Sequence, residues 1–166
     1  GAPVIRIWAG RKPLEESSPE EVKALAGRIR EAAEMAQEEG MDLALEYHRG
    51  TATQTVSGAL ELLKEIRACN VSCYWQPNPE LTKEEHLAEI DALLPFLSNI
   101  HVFSWTKESL RLPLAAGKDC WLSYLNRIRE GGKNRALILE FVKDDSPEQF
   151  RADAKSLKEW AARLGL

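Results

Sequence analysis

The chain is poor in the features that would fix its class at a glance. Its 166 residues hold three cysteines, Cys69, Cys73 and Cys120, without C-x-x-C spacing, which supports neither a disulfide framework nor a zinc knuckle. Reduced cysteines fit a cytoplasmic protein, and they are expected to act as small apolar residues of which at least two pack. No apolar run approaches the roughly 20 residues needed to span a bilayer, and the amino terminus lacks the basic-then-apolar order of a signal peptide. A basic block is missing too: 22 Lys and Arg face 26 Asp and Glu, a net charge of −4, so nucleic acid is a disfavoured partner. What remains is ordinary globular composition, 44% hydrophobic and 29% charged. The chain opens abruptly, with a bare Gly1 ahead of a strand-like run, as expected of a boundary or a clipped end.

Against these absences stands a clear alternation of apolar runs of strand length with longer stretches of helical period. The pattern predicts strands at Val4–Trp8, Asp42–Glu46, Val71–Gln76, Asn99–Phe103 and Ala136–Val142. It predicts helices from about Ser18 to Glu39, Thr55 to Ala68, Thr82 to Leu97, Lys118 to Glu130 and Ser146 to Leu164. Ser18-Pro19-Glu20-Glu21, Thr82-Lys83-Glu84-Glu85 and Ser146-Pro147-Glu148-Gln149 carry helix-start chemistry, an N-cap hydroxyl followed by proline or acidic residues. Val22, Leu25, Ile29, Ala32, Ala33 and Ala36 make one apolar stripe on the first helix. Near-continuous apolar strands spaced by one helix each describe a parallel α/β chain, with all strands ending on the same side.

The strand ends are polar. The second strand runs into Glu46-Tyr47-His48, the third into Trp75-Gln76-Pro77-Asn78, the fourth contains His101 and the fifth contains Glu140. A carboxylate in an apolar strand is costly unless it is paired or binds a cation. Two explanations are open. Glu46, His101 and Glu140, completed by an amide oxygen of Gln76 or Asn78, could hold one divalent ion, and mixed carboxylate and imidazole donors suit Mn, Zn, Fe or Co better than Ca. Alternatively, Arg6, Lys143 or loop amides satisfy the two carboxylates.

Ile5-Arg6-Ile7-Trp8-Ala9-Gly10, Leu45-Glu46-Tyr47-His48, Trp75-Gln76-Pro77, His101 and Leu139-Glu140, in that order and spacing, resemble the later strands of the xylose isomerase-like TIM barrels, the sugar phosphate isomerase/epimerase group. The resemblance covers nearly the whole chain and implies one domain over residues 1–166, a partial (β/α)8 barrel without the first three or so βα units. It implies a divalent metal, Mn, Zn, Co or Mg, held by Glu46, Gln76, His101 and Glu140. It further implies that Glu46 and Glu140 exchange protons with a ketose or its phosphate. In place of the family's Asp ligand this chain has Gln76, one negative charge fewer.

Arg111 resembles a family position that contacts substrate hydroxyl or phosphate groups, for which a guanidinium fork is suited; a surface ion pair is the plainer reading. His48, two residues past Glu46, shares its face on an extended strand and could orient a substrate oxygen. Asn78 and Trp105 complete the expected substrate contacts. Trp8, Trp75 and Trp105 lie at strand ends, where aromatic faces could meet sugar C–H surfaces or simply pack. His86, on a helix among acidic residues and Lys83, is expected in solvent, and Trp160 in the core. The expected function is a metal-dependent sugar isomerase or epimerase acting on a small carbohydrate. The alternative is a non-catalytic partial barrel that binds a sugar or a partner chain. The abasic-site endonuclease branch of the superfamily is disfavoured by the acidic balance. An open parallel sheet would leave two edges, which a second copy of the chain could cover.

Overall fold

The computed structural model describes all of residues 1–166. Its principal sheet has five strands, β1 (Val4–Ile7), β2 (Asp42–Glu46), β3 (Val71–Trp75), β4 (Leu97–Val102) and, after a two-stranded ribbon formed by β5 (Ser104–Trp105) and β6 (Arg111–Leu112), β7 (Leu137–Leu139). The sheet order is β1-β2-β3-β4-β7, so chain order and spatial order coincide. Five helices follow the strands: α1 (Pro19–Glu38), α2 (Val56–Ile66), α3 (Lys83–Leu93), α4 (Lys118–Glu130) and α5 (Pro147–Leu164). The expected parallel α/β chain of strand–helix repeats is thus the observed architecture.

Contacts divide the chain into two compact units. The first comprises Gly1–Trp75 with Phe96–Ser98. Here β1 pairs parallel to β2 with Arg6 beside Ala44, and β2 pairs parallel to β3 with Glu46 beside Tyr74. Ser18 caps α1 in a full capping box with Glu21. The buried face of α1 is Ala26, Ile29, Ala33 and Ala36, three of them alanines that let it lie close, while Val22, Leu25 and Ala32 flank it half-buried. Helix α2 ends two residues early, where Arg67 turns left-handed at φ 55°.

The second unit comprises Gln76–Pro95 and Asn99–Leu166. Its β4 residues pair parallel to β7, with His101 beside Ile138. Thr82 and Glu85 form the expected capping box of α3, and Ser146 caps α5. Helix α3 stops at Leu93 rather than Leu97, because Pro95 has no N–H to continue the ladder. Strand β7 is shorter than expected, so Glu140 lies just past its end. Trp160 and Leu157 are buried as expected. His86 is not in solvent but only 5% exposed, because it shares the buried face of α3 with Ile90 and Leu93 and has partners there. Its Nε2–H donates to the Asn78 carbonyl at 2.9 Å, which leaves Nδ1 to accept from the Tyr124 hydroxyl at 2.8 Å.

Candidate functional site

In the first unit, Arg6 and Trp8 converge on Glu46, the last residue of β2, which is 1% exposed. The register Arg6 to Ala44, continued by one pleat, sets Trp8 opposite Glu46. Arg6 accordingly forms a salt bridge to Glu46 Oε2, and the Trp8 indole N–H donates to the same oxygen at 2.5 Å. One of the two explanations for this carboxylate, the Arg6 pair, is therefore realised, with an indole donor that sequence reading missed. The signal for it was the period-2 match of β1 to β2, legible once the two strands are taken as parallel neighbours. His48 stacks on Trp8 with ring centroids 4.5 Å apart at 29°, so the two rings form one slab beside the carboxylate. The loop after β2 is pinned from beneath: Thr53 Oγ1 donates to the Glu46 carbonyl at 2.5 Å and Thr51 Oγ1 to the His48 carbonyl at 2.6 Å, both from buried positions.

In the second unit, His101 on β4 is 5% exposed. Its Nδ1 lies 2.8 Å from Gln76 Oε1 and 3.3 Å from Glu140 Oε2. Glu140 Oε2 is buried and receives no hydrogen bond. The Gln76 amide oxygen only accepts, so His101 Nδ1–H donates to it, and the buried Glu140 oxygen beside this pair has no hydrogen bond, which is expensive unless a cation lies near it. By donor type, a carboxylate oxygen, an imidazole nitrogen and an amide oxygen fit a divalent ion, provided that the Nδ1 proton is given up to it.

The remaining expected residues are engaged locally. Arg111 Nη1 pairs with Asp145 at 2.5 Å, donates to the Val142 carbonyl at 3.3 Å and lies over the Phe141 ring at 5.0 Å. Asn78 accepts from the Glu80 N–H in its own loop. Trp105 packs on Phe103 and Phe141. Trp75 is fully buried, so of the three strand-end tryptophans it packs, whereas Trp8 is 55% exposed.

The family described as xylose isomerase-like TIM barrel matches residues 1–160. Among solved structures, the probable 3-DHS dehydratase of Bacillus anthracis superposes with a TM-score of 0.81 at 21% identity, over 94% of this chain and 63% of that one. A xylose isomerase-like TIM barrel protein from Mycobacterium smegmatis in complex with magnesium gives 0.72 at 18% identity, over 99% and 63%. D-psicose 3-epimerase from Clostridium cellulolyticum H10, solved with D-tagatose, gives 0.61 at 15% identity, over 87% and 56%. At these identities the likeness is one of fold, and the chain spans about three fifths of the length of these structures. None of the curated proteins matches the sequence. No helix is long and apolar enough to cross a membrane.

Proposed function

Because this chain belongs to the xylose isomerase-like TIM barrel family, we propose that it is a divalent-metal-dependent sugar or sugar phosphate isomerase or epimerase. The observation that carries the proposal is the buried Glu140 Oε2, without a hydrogen bond, beside the His101–Gln76 pair. Glu46 is the remaining ligand in this reading, on the likeness of its strand end to that of the family. Mn, Zn, Co or Mg would suit the donors. When bound, the ion would polarise the carbonyl and hydroxyl oxygens of a ketose.

The chain's own residues supply the rest. One of Glu46 and Glu140 removes the proton alpha to the carbonyl, and the other returns a proton on the opposite face. Arg6 and Trp8 keep Glu46 in one orientation through charge-assisted hydrogen bonds. His48, Asn78, Trp105 and Arg111 are the proposed substrate contacts, Arg111 exchanging Asp145 for a substrate oxygen. A second reading, a barrel portion that binds sugar without turnover, is favoured by two features: Gln76 contributes no charge, and Glu46 already has a cation beside it.

Metal-free protein dialysed against Mn, Co or Zn and measured by elemental analysis should take up close to one ion per chain. His101→Ala and Glu140→Gln should lose it, and Gln76→Asp should tighten it by about tenfold or more through the added charge. On a panel of ketoses and ketose phosphates, Glu140→Gln should cost at least about 100-fold in turnover. No ion uptake would overturn the proposal, whereas uptake without turnover on any of the panel would select the second reading.

A further inference from the structure

In the first unit the paired residues of β1 and β2 end at Ile7 and Leu45, one residue short of Trp8 and Glu46. The ladder that builds the sheet therefore does not itself fix the two residues that face each other at its end. The segment Thr51-Ala52-Thr53 does, and it is buried at all three positions although it lies in the loop after β2. Each of its residues satisfies one carbonyl at a strand end. Thr53 Oγ1 donates to the Glu46 carbonyl at 2.5 Å, the Ala52 N–H to the Ala9 carbonyl at 2.8 Å and Thr51 Oγ1 to the His48 carbonyl at 2.6 Å. Thr51 Oγ1 also accepts from the Thr53 N–H at 3.3 Å, so the two hydroxyls, each with a single proton to give, are bound into one network. Buried carbonyls deprived of these donors would keep their full desolvation cost, which makes the network stiff.

The carbonyls held in this way belong to the site. Ala9 follows Trp8 in the chain, Glu46 is the carboxylate to which Trp8 donates, and His48 is the ring stacked on Trp8. The threonine bonds fasten the end of β2 and the Ala52 bond fastens the end of β1, so one three-residue piece sets the distance between them. A hydroxyl that merely completed its own turn would not explain the reach across to β1. We propose that Thr51 and Thr53 are positioning residues, whose hydroxyls, together with the Ala52 N–H, clamp the ends of β1 and β2 so that Trp8, Glu46 and His48 keep the single arrangement in which Glu46 exchanges a proton with substrate. The role in turnover rests on the isomerase or epimerase reading of the site, whereas the clamp itself does not. Displacement of a reacting group by about 1 Å can cost about 100-fold in rate, so a clamp that touches neither substrate nor ion still acts on the chemistry.

In protein labelled with ¹⁵N at tryptophan, Trp8→Phe identifies the Trp8 indole signal, which should lie downfield of an unbonded indole because of its hydrogen bond to Glu46. Thr53→Val keeps the side-chain shape and deletes the donor, and should move that signal toward the unbonded position. Thr53→Ser, which restores the hydroxyl, should return it. The buried Trp121 and Trp160 of the second unit should not respond to either change. On a ketose that the protein turns over, Thr53→Val should lower kcat about tenfold or more with KM within about twofold, and Thr53→Ser should recover it. In the unmodified protein the Ala52 amide should exchange with deuterated water within about tenfold of the rate of the Leu45 amide in β2, a readout that needs no variant to fold. A Trp8 signal unmoved by Thr53→Val, equal shifts with Val and Ser, or an Ala52 amide that exchanges as fast as an exposed loop would overturn the clamp. The expected shifts and protection without turnover of any ketose would uphold the clamp and overturn the isomerase reading alone.

Discussion

The indole N–H of Trp8 donates to Glu46 Oε2 at 2.5 Å, joining an exposed aromatic ring to a carboxylate that is 1% exposed. Glu46 could not sit at the end of an apolar strand without compensation, since a buried, unpaired carboxylate is strongly destabilising. Arg6 supplies the charge and Trp8 the neutral donor, both from β1 and both on the face that the parallel register turns toward Glu46. The stacked His48 ring then limits where the indole can swing. Fold and site are coupled here: the strand pairing that builds the sheet also orients the carboxylate.

Trp8→Phe keeps a ring against His48 and removes the donor, so it should cost about 1–2 kcal/mol in urea unfolding. Arg6→Met should cost about 2 kcal/mol, below the value for a fully buried pair because the Arg6 side chain is 44% exposed and partly screened by solvent. The double variant should cost less than the sum if both act through Oε2. Strict additivity would mean that the two residues stabilise the protein by separate routes.

His86 predicts a pH dependence of stability. Burial pushes its pKa below the ordinary 6.5, opposed by the Asn78 carbonyl and by Glu85. As pH falls through 6.5, the unfolded chain takes up a proton that the folded chain refuses, so stability declines toward the lower folded value. Unfolding free energy should therefore drop between about pH 7.5 and about pH 5.5, and His86→Gln should flatten part of that slope. An unchanged slope in the variant would assign the dependence to other groups.

How much of this was legible in the sequence depended on the range of the interaction. All five strands and five helices followed from apolar periodicity, and the Ser18, Thr82 and Ser146 caps set three helix starts locally. Ends set by tertiary pairing were not legible: β4 begins at Leu97, just after the Phe96 carbonyl accepts from the Cys73 N–H, and the β5–β6 ribbon is too short for a periodic signal. His86 was misread because its acidic neighbours on the chain say nothing of Tyr124, 38 residues away. Gln76, His101 and Glu140 were nameable from strand-end position alone, but the bare oxygen on Glu140 required coordinates.

The three cysteines should separate by reactivity. Cys73 is completely buried, which raises its thiol pKa to about 12 and leaves almost no thiolate at neutral pH. Cys69 is exposed and Cys120 partly so. Mass spectrometry after brief iodoacetamide treatment should find Cys69 modified first, Cys120 more slowly and Cys73 only after denaturation. Early labelling of native Cys73 would mean that β3 opens readily, contrary to its place in the middle of the sheet.

Gly117 is required by close approach rather than by backbone conformation, since its φ of −93° suits any residue. A methyl group added there would overlap Ser104 Oγ and stand 3.2 Å from Trp121 Cδ1, while Ser104 Cβ, at 3.5 Å, would be in ordinary contact. Ser104 cannot simply rotate away, because its hydroxyl donates to the Leu114 carbonyl and ties β5 to the turn ahead of α4. Gly117→Ala should therefore cost about 1–3 kcal/mol, the usual range for overpacking. Ser104→Ala removes the clashing oxygen together with that hydrogen bond, and alone should cost about 1 kcal/mol. In the double variant the added methyl no longer meets the oxygen and keeps only the tight 3.2 Å contact to Trp121 Cδ1 and the ordinary one to Cβ, so urea unfolding should show the pair to be at least about 1 kcal/mol more stable than the sum of the single changes. Additive costs would place the obstruction at Trp121, whose indole N–H is fixed to the Phe103 carbonyl at 2.9 Å and cannot yield without losing that bond.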